Sequence, residues 1–245
     1  MDPNATGPSP SRAARFLDAM VAIETTLARQ QGRNGEPREA ALAQLIRDSK
    51  SLVSRQKDTL HEYRELRNAI VHSRRVDGEP IADPREDVVL DVEQIRVNLE
   101  KPPLLVTALK NTPAPTVLKP SDSLNVFLDL VAAHDFSQAP VLVGDRYELI
   151  TTNAVARWFA AAQREHGGVV HEATVEEVLQ HAEVGDRPKV AGPQTTVVDA
   201  IRAFSDPSKS GKEPPAAILV VEGKKKTPIK LCSRADLPRL YDQLG

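Results

Sequence analysis

Two short segments pair a hydroxyl side chain with the start of a helix, an arrangement that can hold a phosphorylated ligand. In LCSRADL an apolar strand ends at Ser233, and Asp236 stands one turn into the helix that follows. The hydroxyl and the first amides of the helix could hold a phosphate at the positive helix end. The carboxylate has the spacing to accept two hydrogen bonds from a ribose diol. The simpler alternative is that Asp236 only caps its helix.

The other segment, ITTNAV, ends its strand at Thr151 but has Ala154 at the position of the acid. Thr151 and the two residues after it could still contact a ligand through hydroxyl and amide groups. We therefore predict one better site at LCSRADL and one degenerate site at ITTNAV. The candidate ligand contacts are Ser233, Arg234, Asp236, Thr151, Thr152 and Asn153.

A third segment, LRNAIVHSRR, places a cation and a potential general base at the end of a helix. Arg67 and His72 are separated by four residues, and Asn68 follows the arginine directly. A five-residue step turns an ideal helix by about 140°, so a joint site needs a distorted helix end or a partner chain. His72 could then move the 2′-hydroxyl proton of RNA while Arg67 stabilises the phosphate, without a metal. Alternatively, Arg67 pairs with a carboxylate and His72 caps the helix.

Other polar residues near these segments are interpreted structurally. Arg157 and Trp158 are assigned to helix-surface charge and packing, and Lys224 to Lys226 are assigned to a solvated hairpin tip. The sequence has no glycine-rich phosphate loop, and its Cys and His residues lack zinc spacing. We expect neither a metal site nor a required cofactor.

The composition predicts a soluble, cytoplasmic protein with one large or two modest domains. The chain has 245 residues, 40% of them hydrophobic, and a net charge of −2, which gives no argument for a nucleic-acid or membrane surface. Its single cysteine excludes an internal disulfide and fits a reducing compartment. No stretch approaches a membrane span, and the N-terminus lacks the pattern of a signal peptide.

The N-terminal part predicts a helical bundle over residues 11–100, after a disordered tail at 1–10. Ser11 has the character of an N-cap, and apolar residues recur at helical spacing. The region 87–99 is ambiguous, with a helix favoured over a strand. Helices are predicted at 14–30, 37–53 and 58–73. The boundary falls at LEKPP, residues 99–103.

Two similar units follow, at 104–165 and 170–245, and the overall fold class is α+β. Each unit is expected to contain a short leading strand, a helix, a strand hairpin and a final helix, of the βαββα type. The predicted strands are 116–118, 139–143, 147–151, 188–190, 216–221 and 229–232, and the predicted helices are 121–134, 153–163, 174–181, 195–204 and 234–244. A mobile loop is expected at 205–215.

This order resembles a tandem pair of CBS domains, also called a Bateman module, over residues 103–245. LCSRADL fits the family motif except for Lys230 in place of a glycine, and Glu148 replaces the corresponding glycine in the first copy. The leading elements TVLKPSDSL and KVAGPQTTV and the prolines Pro140 and Pro215 also match. The resemblance implies a regulatory sensor of an adenine nucleotide (AMP, ADP or ATP), S-adenosylmethionine or a cyclic dinucleotide.

LRNAIVHSRR resembles the motif of the HEPN superfamily of small helical bundles, many of which cleave RNA. One subgroup has a tyrosine two residues beyond the histidine, where this chain has Arg74, so that subgroup's activity is not inferred. The resemblance implies a homodimer whose two motifs meet in one cleft. The leading hypothesis is a ligand sensor with this bundle as dimerisation and output module. The alternative is a ligand-regulated, metal-independent ribonuclease that uses Arg67, Asn68 and His72 on RNA.

Overall fold

The computed structural model describes residues 10–33, 39–72, 82–134, 136–166, 172–205, 213–224 and 226–245. The chain contains two compact units, one of residues 1–103 with 241–245 and the other of residues 104–240. The first unit is helical in its described part, and the second mixes helices and strands. The expected tail at 1–10 and the expected loop at 205–215 fall largely outside the described residues.

The first unit contains α1 Arg12–Gln30, α2 Glu39–Asp48, α3 Ser54–His72 and α4 Glu86–Glu100. Ser11 caps α1 as predicted, because its Oγ accepts the Ala14 N–H at 3.2 Å. Residues 87–99, for which the sequence favoured a helix over a strand, lie in α4. The predicted break between the second and third helices is wrong by several residues. Side-chain hydrogen bonds set the ends of both helices. After α2, Ser49 Oγ accepts the Ser51 N–H, and in the first turn of α3, Gln56 Oε1 accepts the Val53 N–H.

The core of this unit is an apolar stripe from each helix, as the sequence periodicity predicts. Arg15 on α1 ties α4 to it, with hydrogen bonds of 3.0 and 2.7 Å to Glu93 and one of 2.7 Å to Glu86. Tyr63 on α3 stacks edge-on against Phe16 and donates to Asp91 at 2.6 Å. The buried apolar residues include Phe16, Met20, Ile23, Leu27, Leu42, Ile46, Leu60, Ile70, Val92 and Ile95.

The first copy in the second unit contains α5 Leu105–Ala108, α6 Leu124–His134, β1 Gln138–Val143, β2 Arg146–Thr151 and α7 Thr152–His166. The strands β1 and β2 form an antiparallel hairpin whose turn uses Gly144 at φ 62°. A strand was predicted at 116–118, but only Leu118 pairs, through a single parallel bridge to Val141.

The second copy contains α8 Val175–Leu179, a 3-10 turn at Val184–Asp186, β3 Pro188–Ala191, α9 Val197–Ser205, β4 Ala217–Glu222, β5 Thr227–Ser233, a 3-10 turn at Arg234–Asp236, and α10 Leu237–Asp242. β3 is parallel to β4, and β4 is antiparallel to β5. The final helix therefore begins as a 3-10 turn rather than as the continuous helix predicted from 234.

The pairing registers align the two copies. Leu118 pairs with Val141 in the first copy, and Ala191 pairs with Val220 in the second. The proposed match of Pro140 with Pro215 is wrong, because Pro140 lies inside β1 whereas Pro215 precedes β4. Each copy also holds the leading segment of the other, through Leu105 N to Thr195 O at 2.9 Å and Val175 N to Asp122 O at 2.9 Å. These bonds bring residues of both copies close to the end of each hairpin.

Candidate functional site

The turn after β5 holds the predicted hydroxyl and acid together. Asp236 Oδ2 accepts hydrogen bonds from the Ser233 N–H at 2.8 Å and from Ser233 Oγ at 3.2 Å. Both side chains are half-buried, and Asp236 Oδ1 accepts no hydrogen bond from the described part of the chain. Asp236 therefore caps the turn, as the simpler interpretation expects, and still has one carboxylate oxygen for a ligand.

A narrow apolar cavity lies against β5 just before this turn. Its volume is about 60 Å³, and it contacts Leu231, which lies on the same face of β5 as Ser233. The rest of its lining comes from the first copy: residues 112–116, Leu130, Phe136 and residues 138–140. We call the groove between residues 112–116 and the turn at Ser233–Asp236 the second cleft.

Two cations of the second copy reach across the second cleft to Thr112. Lys230 Nζ donates to the Thr112 carbonyl and, at 3.4 Å, to the Lys110 carbonyl, and Arg239 Nη1 donates to Thr112 Oγ1 at 3.3 Å. These acceptors are neutral groups, and within the part of the chain that the structure describes neither cation forms an ion pair. Arg234, the third candidate cation, is exposed on the turn itself. The second cleft is consequently a place where an anion is favoured.

The corresponding hydroxyl of the first copy is already engaged. Thr151 is buried, its Oγ1 donates to Asp186 Oδ1 at 3.0 Å, and the same oxygen accepts the Ala154 N–H at 3.0 Å. Asp186 comes from the 3-10 turn that leads into the second copy. Thr152 and Asn153 are exposed at the start of α7. We call the groove between residues 181–188 and the Thr151–Arg157 segment the first cleft.

Arg157 lies within the first cleft, so its assignment as a surface charge is wrong. Its guanidinium forms an ion pair with Asp186, lies 3.5 Å from Glu183 Oε2, and donates through Nε to the His181 carbonyl at 2.8 Å. Trp158, the next residue, is buried in the core as predicted. A helix-surface pattern cannot reveal these contacts, because each partner lies more than twenty residues away in sequence.

A larger cavity, of about 390 Å³, borders the first cleft along residues 146–149 and 182–188. It is lined by three carboxylates and two arginines: Glu148, Glu183, Asp186, Arg146 and Arg187. Arg157 forms ion pairs with two of these carboxylates, Glu183 and Asp186, so their charges are largely offset.

The arginine of the third segment faces a buried acid. Arg67 on α3 is half-buried, and its Nη1 donates to Asn68 Oδ1 at 3.4 Å. Glu24 on α1 is 5% exposed, and burial raises the pKa of its carboxyl while the charge of Arg67 opposes that rise. The His72 side chain and Arg74 lie outside the described residues. The geometry of a joint Arg67–His72 site thus stays a prediction.

Cys232, directly before Ser233, supplies no nucleophile at neutral pH. The thiol is buried, and burial together with the charge of Asp236 raises its pKa to about 12.

Among the described residues, no group of three or more His, Cys, Asp or Glu side chains is placed to hold a metal ion. No described helix is both long and apolar enough to cross a bilayer.

No protein-family model and no curated protein matches the sequence. Solved structures similar to this chain are CBS-domain proteins. One is CBSX2 in complex with AMP, at 17% identity and TM-score 0.37, covering 56% of this chain and 96% of that one. A CBS domain-containing protein of unknown function from Bacillus anthracis has 16% identity, TM-score 0.39 and coverages of 53% and 85%. CbpB in complex with c-di-AMP has 12% identity, TM-score 0.38 and coverages of 63% and 93%.

Sequence reasoning missed three charged residues of the clefts: Asp186, Arg239 and Lys230. Arg239 had a usable signal, because it follows Ser233 by the same interval as Arg157 follows Thr151. Lys230 was noted only as a departure from glycine. Asp186 carried no signal, since it belongs to a turn that the helix and strand patterns do not describe.

Proposed function

We propose that residues 104–240 form a tandem CBS pair that binds an adenine nucleotide or a related adenosyl ligand in the second cleft, and that the protein is a regulatory ligand sensor. The observation that carries this proposal is the Ser233–Asp236 turn, closed by its own hydrogen bonds, beside an apolar cavity and two cations. Within the described residues, those cations, Lys230 and Arg239, donate only to neutral groups. A nucleotide has the three matching parts: a ribose diol, a flat apolar base and an anionic phosphate.

Each part of the ligand has a place in this arrangement. The ribose diol donates to the unoccupied Oδ1 of Asp236, while Oδ2 keeps its bonds to Ser233. The base inserts between Leu231 and residues 112–116, and the phosphate meets Lys230 and Arg239. Charge-assisted hydrogen bonds to a carboxylate or a phosphate are stronger than neutral ones, so these polar contacts supply much of the selectivity.

Ligand binding in the second cleft would disturb residues 112–116, which supplies a means of signalling. These residues line the apolar cavity, whose volume is about 60 Å³. A phosphate that takes Lys230 and Arg239 also removes their bonds to Thr112. The ligand therefore prefers the conformation in which residues 112–116 have moved, and such a difference in affinity is what shifts a conformational equilibrium.

A calorimetric binding screen with one matched pair of variants tests the proposal. The probes are AMP, ADP, ATP, S-adenosylmethionine and c-di-AMP. Asp236→Ala should weaken the best ligand by about 2 kcal/mol, a roughly 30-fold loss, because charge-assisted hydrogen bonds to the ribose are lost. Asp199→Ala is the control, since Asp199 caps α9 by accepting from Thr196 N at 3.2 Å and from Thr196 Oγ1 at 2.8 Å. It removes the same kind of cap away from the second cleft.

Unchanged nucleotide affinity in Asp236→Ala, or an equal loss in both variants, would show that Asp236 is only a cap. Binding of none of the five probes by the wild-type protein would contradict the sensor function itself. Hydrogen exchange on a bound sample adds a second readout, since amides of residues 112–116 should change protection on ligand binding.

For the helical unit we propose a non-enzymatic output through dimerisation rather than RNA cleavage. The supporting observation is that Arg67 is half-buried on α3 and that its charge opposes the rise that burial causes in the pKa of Glu24. Light scattering with and without ligand tests for a homodimer, and a monomer under both conditions would contradict this output. Incubation with RNA tests the ribonuclease alternative: cleavage that is lost in His72→Ala would establish it.

A further inference from the structure

Asp186 is bound within the first cleft much as a free anion would be. Its side chain is almost fully buried, and three donors converge on its two oxygens. Thr151 Oγ1 donates to Oδ1 at 3.0 Å, the Glu183 N–H donates to Oδ2 at 2.9 Å, and the Arg157 guanidinium pairs with Oδ2. A hydroxyl, a backbone amide and an arginine are all hydrogen-bond donors, and together they satisfy both oxygens of the carboxylate.

The second cleft has a corresponding hydroxyl and arginine, but its hydroxyl donates to Asp236 of its own turn. Arg239 stands where Arg157 stands in the first copy, and Ser233 stands where Thr151 stands. Pro113 precedes the first leading element by the same interval as Asp186 precedes the second. Proline carries no acceptor in its side chain, and Arg239 is left with the neutral Thr112 hydroxyl at 3.3 Å. The two clefts therefore differ in the partner of the arginine, which is a carboxylate in the first and a neutral hydroxyl in the second.

We infer that Thr151, Arg157 and the Glu183 amide form an anion-binding site that the chain fills with its own Asp186 carboxylate. The site takes small carboxylates of the formate class once that side chain is removed. In the intact protein the carboxylate holds the turn at 184–186 against the end of β2, and no ligand anion reaches Thr151 or Arg157.

Chemical rescue of Asp186→Ala tests this assignment on the full chain. Truncation strands a partly buried arginine and opens a void of carboxylate size, so the melting temperature should fall by about 5–10 °C in sodium chloride. Replacing chloride with formate at equal ionic strength should recover at least half of that loss, with saturation as formate rises. If the variant is unfolded in chloride, the same titration is followed as recovery of far-ultraviolet circular dichroism.

Two further variants separate a site from a general effect of the salt. Glu183→Ala removes the other carboxylate near Arg157, but its side chain is 70% exposed, so formate should change its melting temperature no more than that of the wild type. Asp186→Asn fills the same volume without the charge, so it should be destabilised and should resist rescue. Equal effects of formate on all four proteins, or no effect on Asp186→Ala, would overturn the inference.

The rescue experiment uses no nucleotide, so its outcome is independent of the proposed sensor function. A protein that binds no nucleotide can still show saturable formate rescue, and a nucleotide-binding protein can fail to show it.

Discussion

The interaction between Arg67 and Glu24 decides whether the arginine of LRNAIVHSRR is structural or catalytic. Glu24 is 5% exposed on α1, and Arg67 on α3 provides the charge that opposes the rise in its pKa. We expect Arg67→Met to destabilise the protein, because methionine keeps much of the apolar stem but leaves a buried carboxylate without its cation.

The expected loss is about 2 kcal/mol. Removing one partner of a fully buried ion pair costs roughly 3–5 kcal/mol, and the half-buried position of Arg67 reduces this figure because water screens the charge. A loss of that size lowers the melting temperature of a chain this long by about 4–8 °C. Glu24→Gln in the same chain should restore most of the loss, since a neutral amide does not require a cation.

The loss of stability in Arg67→Met should depend on pH in a way that identifies Glu24 as its cause. The folded carboxyl of Glu24 holds its proton at pH values where the unfolded one, with a pKa of 4.5, has released it. Unfolding free energy therefore falls as the pH rises from the unfolded pKa through the raised folded pKa. Without the arginine the folded pKa rises further, so the deficit of Arg67→Met should be larger at neutral pH than in acid, where Glu24 is protonated.

Urea denaturation at several pH values measures these differences, with Arg55→Met as the control. Arg55 lies exposed on the same helix, and its replacement should change stability by no more than about 0.5 kcal/mol. The structural interpretation is refuted if Arg67→Met is as stable as this control, or if Glu24→Gln fails to restore it. RNA cleavage by the wild type that disappears in a fully stable Arg67→Met protein would favour the catalytic role.

Three other predictions concern Arg239 and Cys232. Arg239→Met should weaken AMP binding by about tenfold while changing adenosine binding little, because only the phosphate meets the guanidinium; calorimetry with both probes checks this, and equal losses would contradict it. Cys232 should resist iodoacetamide in the native state and react in denaturant, since its buried thiol has a pKa raised to about 12; rapid labelling of the folded protein at mildly alkaline pH would contradict its placement. For the same reason stability should fall between pH 9 and about 12, where only the unfolded thiol ionises.

Much of the fold was predictable because its signals are local. Helical periodicity located α1 and α3, and the alternation of apolar runs with turn residues located both hairpins. The position of Asp236 in the first turn after its strand also allowed a capping role to be named as the simpler alternative, and the structure shows this cap. Element ends were less accurate where side-chain caps decided them, as at Ser49 and Gln56.

The sequence by itself determined that two unequal copies of one unit follow a helical region, and that only the second copy has an acid after its hydroxyl. The tertiary structure decided what each hydroxyl faces. Thr151 meets Asp186 from a turn of the other copy, whereas Ser233 donates to Asp236 of its own turn and the neighbouring cations donate to Lys110 and Thr112. The contacts of Thr151 and of the two cations join residues more than thirty positions apart, and a local pattern cannot encode which distant group each side chain meets.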